Sequence, residues 1–106
     1  MIRLADLNPP RIVLQNTYFW TPAKKADARR YREKRVLKDV ANWLESVVNT
    51  FQLKAEVVYE NSNLLVLEDK EDGVIATFYY RESCNNVYKK QDFRGLLKVI
   101  NIKNGL

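Results

Sequence analysis

Apolar residues between positions 36 and 51 recur at spacings of three and four along the chain. This repeat is typical of one face of an α-helix, and intervening positions such as Lys38, Asn42 and Glu45 are polar. Thr21-Pro22, a hydroxyl residue followed by proline, is typical of a helix start. The pattern therefore predicts one long helix over 21–51 whose second half packs on other elements. The apolar positions are Val36, Leu37, Val40, Ala41, Trp43, Leu44, Val47, Val48 and Phe51.

The apolar repeat changes to two residues after Gln52, which is typical of β-strands. Short turns at Asn61-Ser62 and at 70–73 separate three such segments and predict antiparallel neighbours. We therefore predict an α+β fold in which an antiparallel sheet of three to four strands carries the long helix on one face. The three segments are LKAEVVYE at 53–60, NLLVLED at 63–69 and GVIATFYYR at 73–81.

The N-terminal residues are predicted to complete a single domain over 1–106, since this length supports one core. Residues 1–10 are predicted to form an irregular tail that Pro9-Pro10 holds extended. β-Branched and aromatic residues over 11–19 predict a further strand. That strand would lie at the edge of the sheet or cover one of its faces.

The C-terminal part contains a polar segment and an ambiguous one. Residues 82–91 are predicted to form a polar loop. Asp92 as a cap, with Asn104-Gly105 at the other end, favours a short C-terminal helix over 92–103. The β-branched end of this segment leaves a strand as the alternative.

The register of the sheet decides which residues face the long helix. A two-residue turn at Asn61-Ser62 pairs Tyr59 with Leu64 and Val57 with Val66, and places all four on the helix face. The opposite face would mix apolar and charged residues, and we predict that the N-terminal strand, another protein or a second copy of the chain in a homodimer covers it. Its residues would be Glu56, Val58, Glu60, Leu65, Leu67, Ile75, Thr77, Tyr79 and Arg81.

Positive charge is concentrated in the first half of the long helix. Residues 24–38 contain eight Lys or Arg against two acidic residues, a net of +6, whereas the whole chain carries +5. The positions that would extend the apolar stripe hold Lys25, Arg29, Arg30 and Glu33, and a core cannot take unpaired charges. Residues 22–35 are therefore predicted to lie along the surface, to project into solvent or to fray.

Clustered Lys and Arg side chains on an exposed helix suit phosphate groups, because each cation can neutralise one phosphate and release a counterion. We predict that the chain is a small non-catalytic protein that binds nucleic acid, DNA or RNA, and that Tyr31 can stack on a base. The predicted binding residues are Lys24, Lys25, Arg29, Arg30, Tyr31, Arg32, Lys34, Arg35 and Lys38, extended by Arg81, Lys89 and Lys90.

Two other interpretations of the same charges stay open. In the first, the basic segment or the exposed sheet face docks on another protein, which would make the chain a small regulator or inhibitor. In the second, the segment is a solvated helix face. Its charges would then form pairs four residues apart, Arg29 with Glu33 and Arg35 with Asp39.

The composition excludes several catalytic centres. The chain has no histidine and a single cysteine, so histidine-dependent hydrolase triads and Cys/His zinc sites within one chain are excluded. No cofactor and no metal are predicted. The longest apolar run, at 74–80, is too short to span a membrane. The N-terminus lacks a secretory-signal pattern and the lone Cys84 suits a reducing compartment, so a cytoplasmic location is predicted.

The acidic residues provide one remote alternative to a non-enzymatic protein. Glu60 with Glu68-Asp69-Lys70 resembles the acid and Glu-x-Lys spacing of restriction-type nucleases, which bind a metal ion between carboxylates. The predicted register places Glu60 and Glu68 on opposite faces of the sheet, where they could not share a metal ion. We therefore predict that the chain is not an enzyme.

The order of helix, three antiparallel strands and helix over 34–103 resembles the double-stranded RNA-binding domain. Lys89-Lys90, just before the last helix, resembles the basic start of that helix in the family. The resemblance implies the same order of elements and binding of duplex RNA. The sequence departs from the family at the turn over 60–63, which lacks its proline and histidine. It departs again at Asp92, where further basic residues are expected.

Overall fold

A computed structural model describes residues 1–15, 26–83 and 86–105, apart from the side chains of 26–31 and Asn86. It shows an α+β fold with an antiparallel four-stranded sheet, a long helix and a short C-terminal helix. None of the described helices is long and apolar enough to cross a membrane. The elements are a 3-10 helix over Leu4–Leu7, α1 over Arg11–Leu14, α2 over Ala26–Phe51, β1 over Ala55–Asn61, β2 over Leu64–Asp69, β3 over Gly73–Ser83, β4 over Asn86–Asp92 and α3 over Arg94–Lys103.

The four strands form a meander in which each strand pairs with the next, in the order β1-β2-β3-β4. Tyr59 pairs with Leu65, so the register predicted for this hairpin is wrong by one residue. The cause is an irregularity between Tyr59 and Asn61, where Glu60 is an extra residue in β1. The tight turn consequently falls at Ser62-Asn63 instead of one residue earlier.

The shifted register exchanges the residues on the two faces of β2, because side chains alternate between faces. Leu65 and Leu67 belong to the core on the helix face, and both are fully buried. Leu64 and Val66 instead lie on the opposite face. A second irregularity makes Ile75 an extra residue in β3, and Ile75 is also in the core. The prediction that Leu65, Leu67 and Ile75 lie on the face away from the helix is therefore wrong.

The apolar stripe of α2 packs on the sheet as predicted. Val40 and Leu44 are buried in the same cluster as Phe78 from β3. The Trp43 ring meets Phe93 edge-on, with 5.5 Å between ring centroids, and its Nε1 donates a hydrogen bond of 2.8 Å to the carbonyl of Leu7. The indole thus joins the N-terminal residues to the core while its polar atom is satisfied.

Residues 1–15 lie on the helix side of the sheet, because Leu7 and Val13 belong to the core cluster. The prediction of a strand over 11–19 is wrong for its described part, since 11–14 form the short helix α1, and its remainder over 16–19 lies outside the described residues. The tail is also more regular than predicted, with a 3-10 helix inside it. Consequently, residues 1–15 do not cover the face of the sheet that is opposite to α2.

The polar segment at 82–91 is not the loop that we predicted. β3 continues to Ser83, and most of the segment forms β4. The C-terminal helix is confirmed as α3, and Oδ1 of Asp92 accepts a hydrogen bond of 3.0 Å from the backbone N–H of Arg94.

The order of elements differs from that of the double-stranded RNA-binding domain, because four strands and not three lie between the two helices. Lys89-Lys90 lies within β4 and not at a helix start.

Candidate nucleic-acid-binding surface

The outward side of α2 is determined by the residues that anchor the helix. Leu37 and Leu44 are buried against the sheet. With about 100° of rotation per residue, Arg35 projects away from the sheet, and Lys38 and Lys34 lie about 60° and 100° from Arg35 on the flank of the helix. All three are exposed. We call these three residues the cationic face of α2.

The charges of the cationic face are not neutralised by acids in the described part of the chain. The ion pairs that join described side chains there include Lys54 with Glu71 at 3.9 Å and Arg94 with Asp92 at 2.9 Å, and neither involves the cationic face. The predicted pair of Arg35 with Asp39, both described, is not among them. The cations of this face are therefore available to an external anion.

Glu33 lies on the sheet side of α2, and its charge is accommodated by hydrogen bonds. Its Oε1 accepts a bond of 2.7 Å from Nδ2 of Asn63, and its Oε2 accepts one of 3.1 Å from the backbone N–H of Glu82. These contacts hold α2 on the sheet one turn before the apolar stripe begins. The prediction that residues 22–35 lie along the surface, project into solvent or fray therefore does not hold for Glu33, which is half-buried.

A buried polar network continues from this point into β3. Tyr80 is fully buried and its hydroxyl donates a hydrogen bond of 2.8 Å to Oε1 of Glu82. Burial, followed by the bond to Glu82, raises the pKa of Tyr80, and the cation of Arg32 opposes that rise. Arg32 is only half-exposed and acts on this network. It therefore contributes less to the outward surface than the cationic face does.

Lys89 points toward the N-terminal residues and not toward solvent. Its Nζ donates hydrogen bonds to the carbonyls of Ile12, at 2.7 Å, and Gln15. The neighbouring side chain of Gln91 donates a bond of 2.6 Å to the carbonyl of Val13. Burial lowers the pKa of Lys89. Although the sequence predicts Lys89 as a binding residue, the structure gives it the role of attaching residues 12–15 to β4.

Arg81 and Lys90 lie on the sheet face that is opposite to α2. Both are exposed. Lys90 pairs with Tyr79 across β3 and β4, and Arg81 pairs with Tyr88. Because the sheet separates these cations from the cationic face, one surface does not contain both sets. The predicted extension of the basic helix by Arg81, Lys89 and Lys90 is therefore not brought together.

Five of the predicted binding residues fall outside the described side chains. Lys24 and Lys25 precede the described residues of α2. Arg29, Arg30 and Tyr31 lie within the described helix, and only their backbone is described. Whether they belong to the surface stays a prediction from the sequence.

The acidic residues considered for a metal site have other positions. Asp69 is buried, and its Oδ1 accepts hydrogen bonds of 2.8 and 3.0 Å from the backbone N–H groups of Glu71 and Asp72. It therefore stabilises the turn after β2. In the described residues, no group of three or more His, Cys, Asp or Glu side chains is arranged to hold a metal ion.

No pattern in the sequence indicates the role of Asn63. Its Nδ2 also donates a bond of 2.9 Å to the carbonyl of Tyr80, so one amide joins α2, β2 and β3. The only available signal was that Glu33 occupies a core position of the helix and must find a partner. Nothing in the sequence identifies which partner that is.

Comparison of the chain with protein-family models, with curated proteins and with solved structures finds no significant match.

Proposed function

We propose that the chain is a small non-catalytic protein that binds the phosphate backbone of nucleic acid through α2. The observation that carries the proposal is the cationic face, Lys34, Arg35 and Lys38, which is exposed and has no acidic partner among the described side chains. It lies in a segment, 24–38, with eight Lys or Arg against two acids. Such a surface attracts phosphate because binding releases condensed counterions.

The geometry of the helix supports contact with more than one phosphate. Lys34 and Lys38 are one turn apart, which is about 6 Å along the helix axis. Arg35 projects beside them and can make two parallel hydrogen bonds to one phosphate. None of these contacts depends on base identity, so the proposed binding is general for DNA or RNA and has little sequence preference.

The direct test is fluorescence anisotropy with labelled single-stranded DNA, single-stranded RNA and duplexes, and with heparin as a polyanion control. Arg35→Glu with Lys38→Glu should reduce affinity for nucleic acid at least about tenfold at low salt. Each lost phosphate contact should also lower the slope of log affinity against log salt by about one. Both side chains are exposed, so the melting temperature should hardly change.

A matched control separates local contacts from net charge. Lys70→Glu with Lys98→Glu makes the same change in net charge at two exposed positions outside α2. Equal loss of affinity in both double variants would contradict a specific role for the cationic face. Equal affinity of the native chain for heparin and for all nucleic acids would show only polyanion attraction.

The second candidate function is that of a small cytoplasmic regulator that docks on an acidic protein surface. The same exposed cations favour it. It predicts that Arg35→Glu with Lys38→Glu abolishes binding of an acidic protein, and that the native chain has no measurable affinity for nucleic acid at about 150 mM salt.

A further inference from the structure

The sheet face opposite to α2 carries opposite charges at two diagonal corners. Glu56 and Glu68 pair across β1 and β2 at the start of β1, and we call them the acidic corner. Arg81 and Lys90 lie near the far end of β3, on β3 and β4, and we call them the basic corner. Because β1 and β3 run in the same direction, the two corners occupy opposite ends and opposite sides of the sheet.

Neither corner is neutralised within the described part of the chain. Glu56 lies directly opposite Glu68, and like charges at facing positions destabilise a sheet. The ion pairs Lys54–Glu71 and Arg94–Asp92 involve neither corner. Lys70 is two residues after Glu68, but among the described side chains it forms no ion pair with the carboxylate of Glu56 or of Glu68. Each corner therefore presents like charges that an opposite charge from outside would stabilise.

Between the corners the face is mostly apolar. Val66 is only 6% exposed although it does not belong to the core on the helix side. Val58, Leu64 and Tyr79 lie around it and are half-buried.

Thr77 and Asp92 complete the row of Val66 on β3 and β4, and the Asp92 carboxylate is paired with Arg94 at 2.9 Å. The described N-terminal residues lie on the other side of the sheet, so they do not cover this face. The face thus combines a mostly apolar middle with one negative and one positive corner.

We propose that this face binds a second copy of the same chain. In this dimer the twofold axis lies in the plane of the interface, passes near Val66 and is perpendicular to the line that joins the two corners. The acidic corner of one copy then lies over the basic corner of the other, twice, and the apolar middle packs on itself. Such a self-complementary arrangement is the pattern of an isologous dimer. A polyanion such as nucleic acid would match the basic corner but would be repelled by the acidic one.

The size of the face indicates how stable the dimer is. Strands spaced by about 4.8 Å and rising about 3.4 Å per residue give a face of roughly 15 by 20 Å. This buries several hundred Å² per copy, less than the roughly 800 Å² per partner of a standard stable complex. The dimer is therefore expected to dissociate at micromolar concentrations. It leaves the cationic face of α2 exposed on both copies, so it does not depend on the function proposed above.

Sedimentation equilibrium of the full chain, from about 1 to 500 µM, tests the proposal. Glu56→Lys with Glu68→Lys makes both corners positive, and Arg81→Glu with Lys90→Glu makes both negative. Each double variant alone should associate at least about tenfold more weakly than the native chain, because like charges then meet at both contacts. Mixed in equal amounts, the two variants should form a heterodimer at least as readily as the native chain forms its homodimer.

Two charge reversals outside the proposed dimer face serve as controls. Glu45→Lys and Lys98→Glu reverse exposed charges on α2 and α3, away from the face, and should leave association unchanged. Should a double variant melt much lower than the native chain, the native dimer still provides a test, since added salt must weaken it.

Three outcomes would overturn the proposal. The first is a native chain that stays monomeric throughout the concentration range. The second is a mixture that associates no better than its separate components. The third is a native monomer whose affinity for single-stranded RNA falls with Arg81→Glu and Lys90→Glu, which would make the basic corner a nucleic-acid site.

Discussion

The side-chain amide of Asn63 donates a hydrogen bond of 2.7 Å to the carboxylate of Glu33, across 30 positions of sequence. The same Nδ2 donates to the carbonyl of Tyr80 at 2.9 Å, and the Tyr80 N–H donates to the Asn63 carbonyl at 3.0 Å. Asn63 therefore positions the first well-anchored turn of α2 on the sheet. Because Lys34 follows Glu33 directly, this contact also sets the direction in which the cationic face points.

We expect Asn63→Ala to reduce the free energy of unfolding by about 1–2 kcal/mol, since it removes the amide donor from two partly buried acceptors, the Glu33 carboxylate and the Tyr80 carbonyl. Urea unfolding measures the loss. The matched control is Asn42→Ala, an exposed asparagine on α2, which should not lower stability, since alanine favours helix over asparagine by up to about 0.7 kcal/mol. Hydrogen exchange should also become faster near residue 33. If Asn63→Ala lowers the free energy of unfolding no more than the control does, the hydrogen bonds of Asn63 to Glu33 and Tyr80 do not stabilise the fold.

Gly95 allows α3 to pack closely on the extra residue of β3. A Cβ atom at this position would lie 2.7 Å from the carbonyl oxygen of Ile75, and a strand backbone cannot easily move away. Alanine favours helix over glycine by about 1 kcal/mol, but we expect the clash to prevail and Gly95→Ala to destabilise by about 1–3 kcal/mol. Lys98→Ala, at an exposed position of α3, should be nearly neutral. A stabilised Gly95→Ala variant would contradict the close approach.

Tyr80 should make stability fall at alkaline pH. Its pKa is raised in the folded chain by burial and by the hydrogen bond to Glu82. In the unfolded chain the same hydroxyl has the ordinary tyrosine pKa of about 10. Above that pH the folded state holds one more proton than the unfolded state, so stability declines by up to about 1.4 kcal/mol per pH unit. Tyr80→Phe removes this contribution. We expect it to destabilise by about 1–3 kcal/mol at pH 7, and the difference from the native chain should shrink above pH 10. A constant difference from pH 7 to 11 would contradict the prediction.

The elements that local pattern determines were predicted, and those that depend on distant contacts were not. The stripe of α2 follows from a helical repeat within one segment, so its buried face was predicted correctly. The residues of β2 were assigned to the wrong faces because Glu60 forms a bulge in β1. A single extra residue leaves no repeating pattern in the sequence, so it could not be predicted. The Glu33–Asn63 contact joins residues that only the fold brings together. The strand β4 was missed because its residues are mostly polar, so the sequence predicts a loop where Lys89 lies in a strand.

Lys89 and Lys90 are adjacent in β4, so their side chains project from opposite faces of the sheet. Lys89 donates to backbone carbonyls of residues 12–15, whereas Lys90 is exposed on the open face. Lys89→Met keeps the apolar stem and removes the donor. Residues 12–15 should then open to water more readily, because a lost hydrogen bond to a charged group is worth about 1.5–3 kcal/mol.

We therefore expect Lys89→Met to increase hydrogen exchange and proteolytic cleavage at residues 11–15 and to change nucleic-acid affinity less than Arg35→Glu does. Lys90→Met is the matched control, since it removes the same charge one residue further on and should leave 11–15 protected. Two results would contradict the assignment. If both variants leave residues 11–15 equally protected, Lys89 does not hold this segment. If Lys89→Met weakens nucleic-acid binding as much as Arg35→Glu while 11–15 stay protected, Lys89 is a binding residue, as its sequence context predicts.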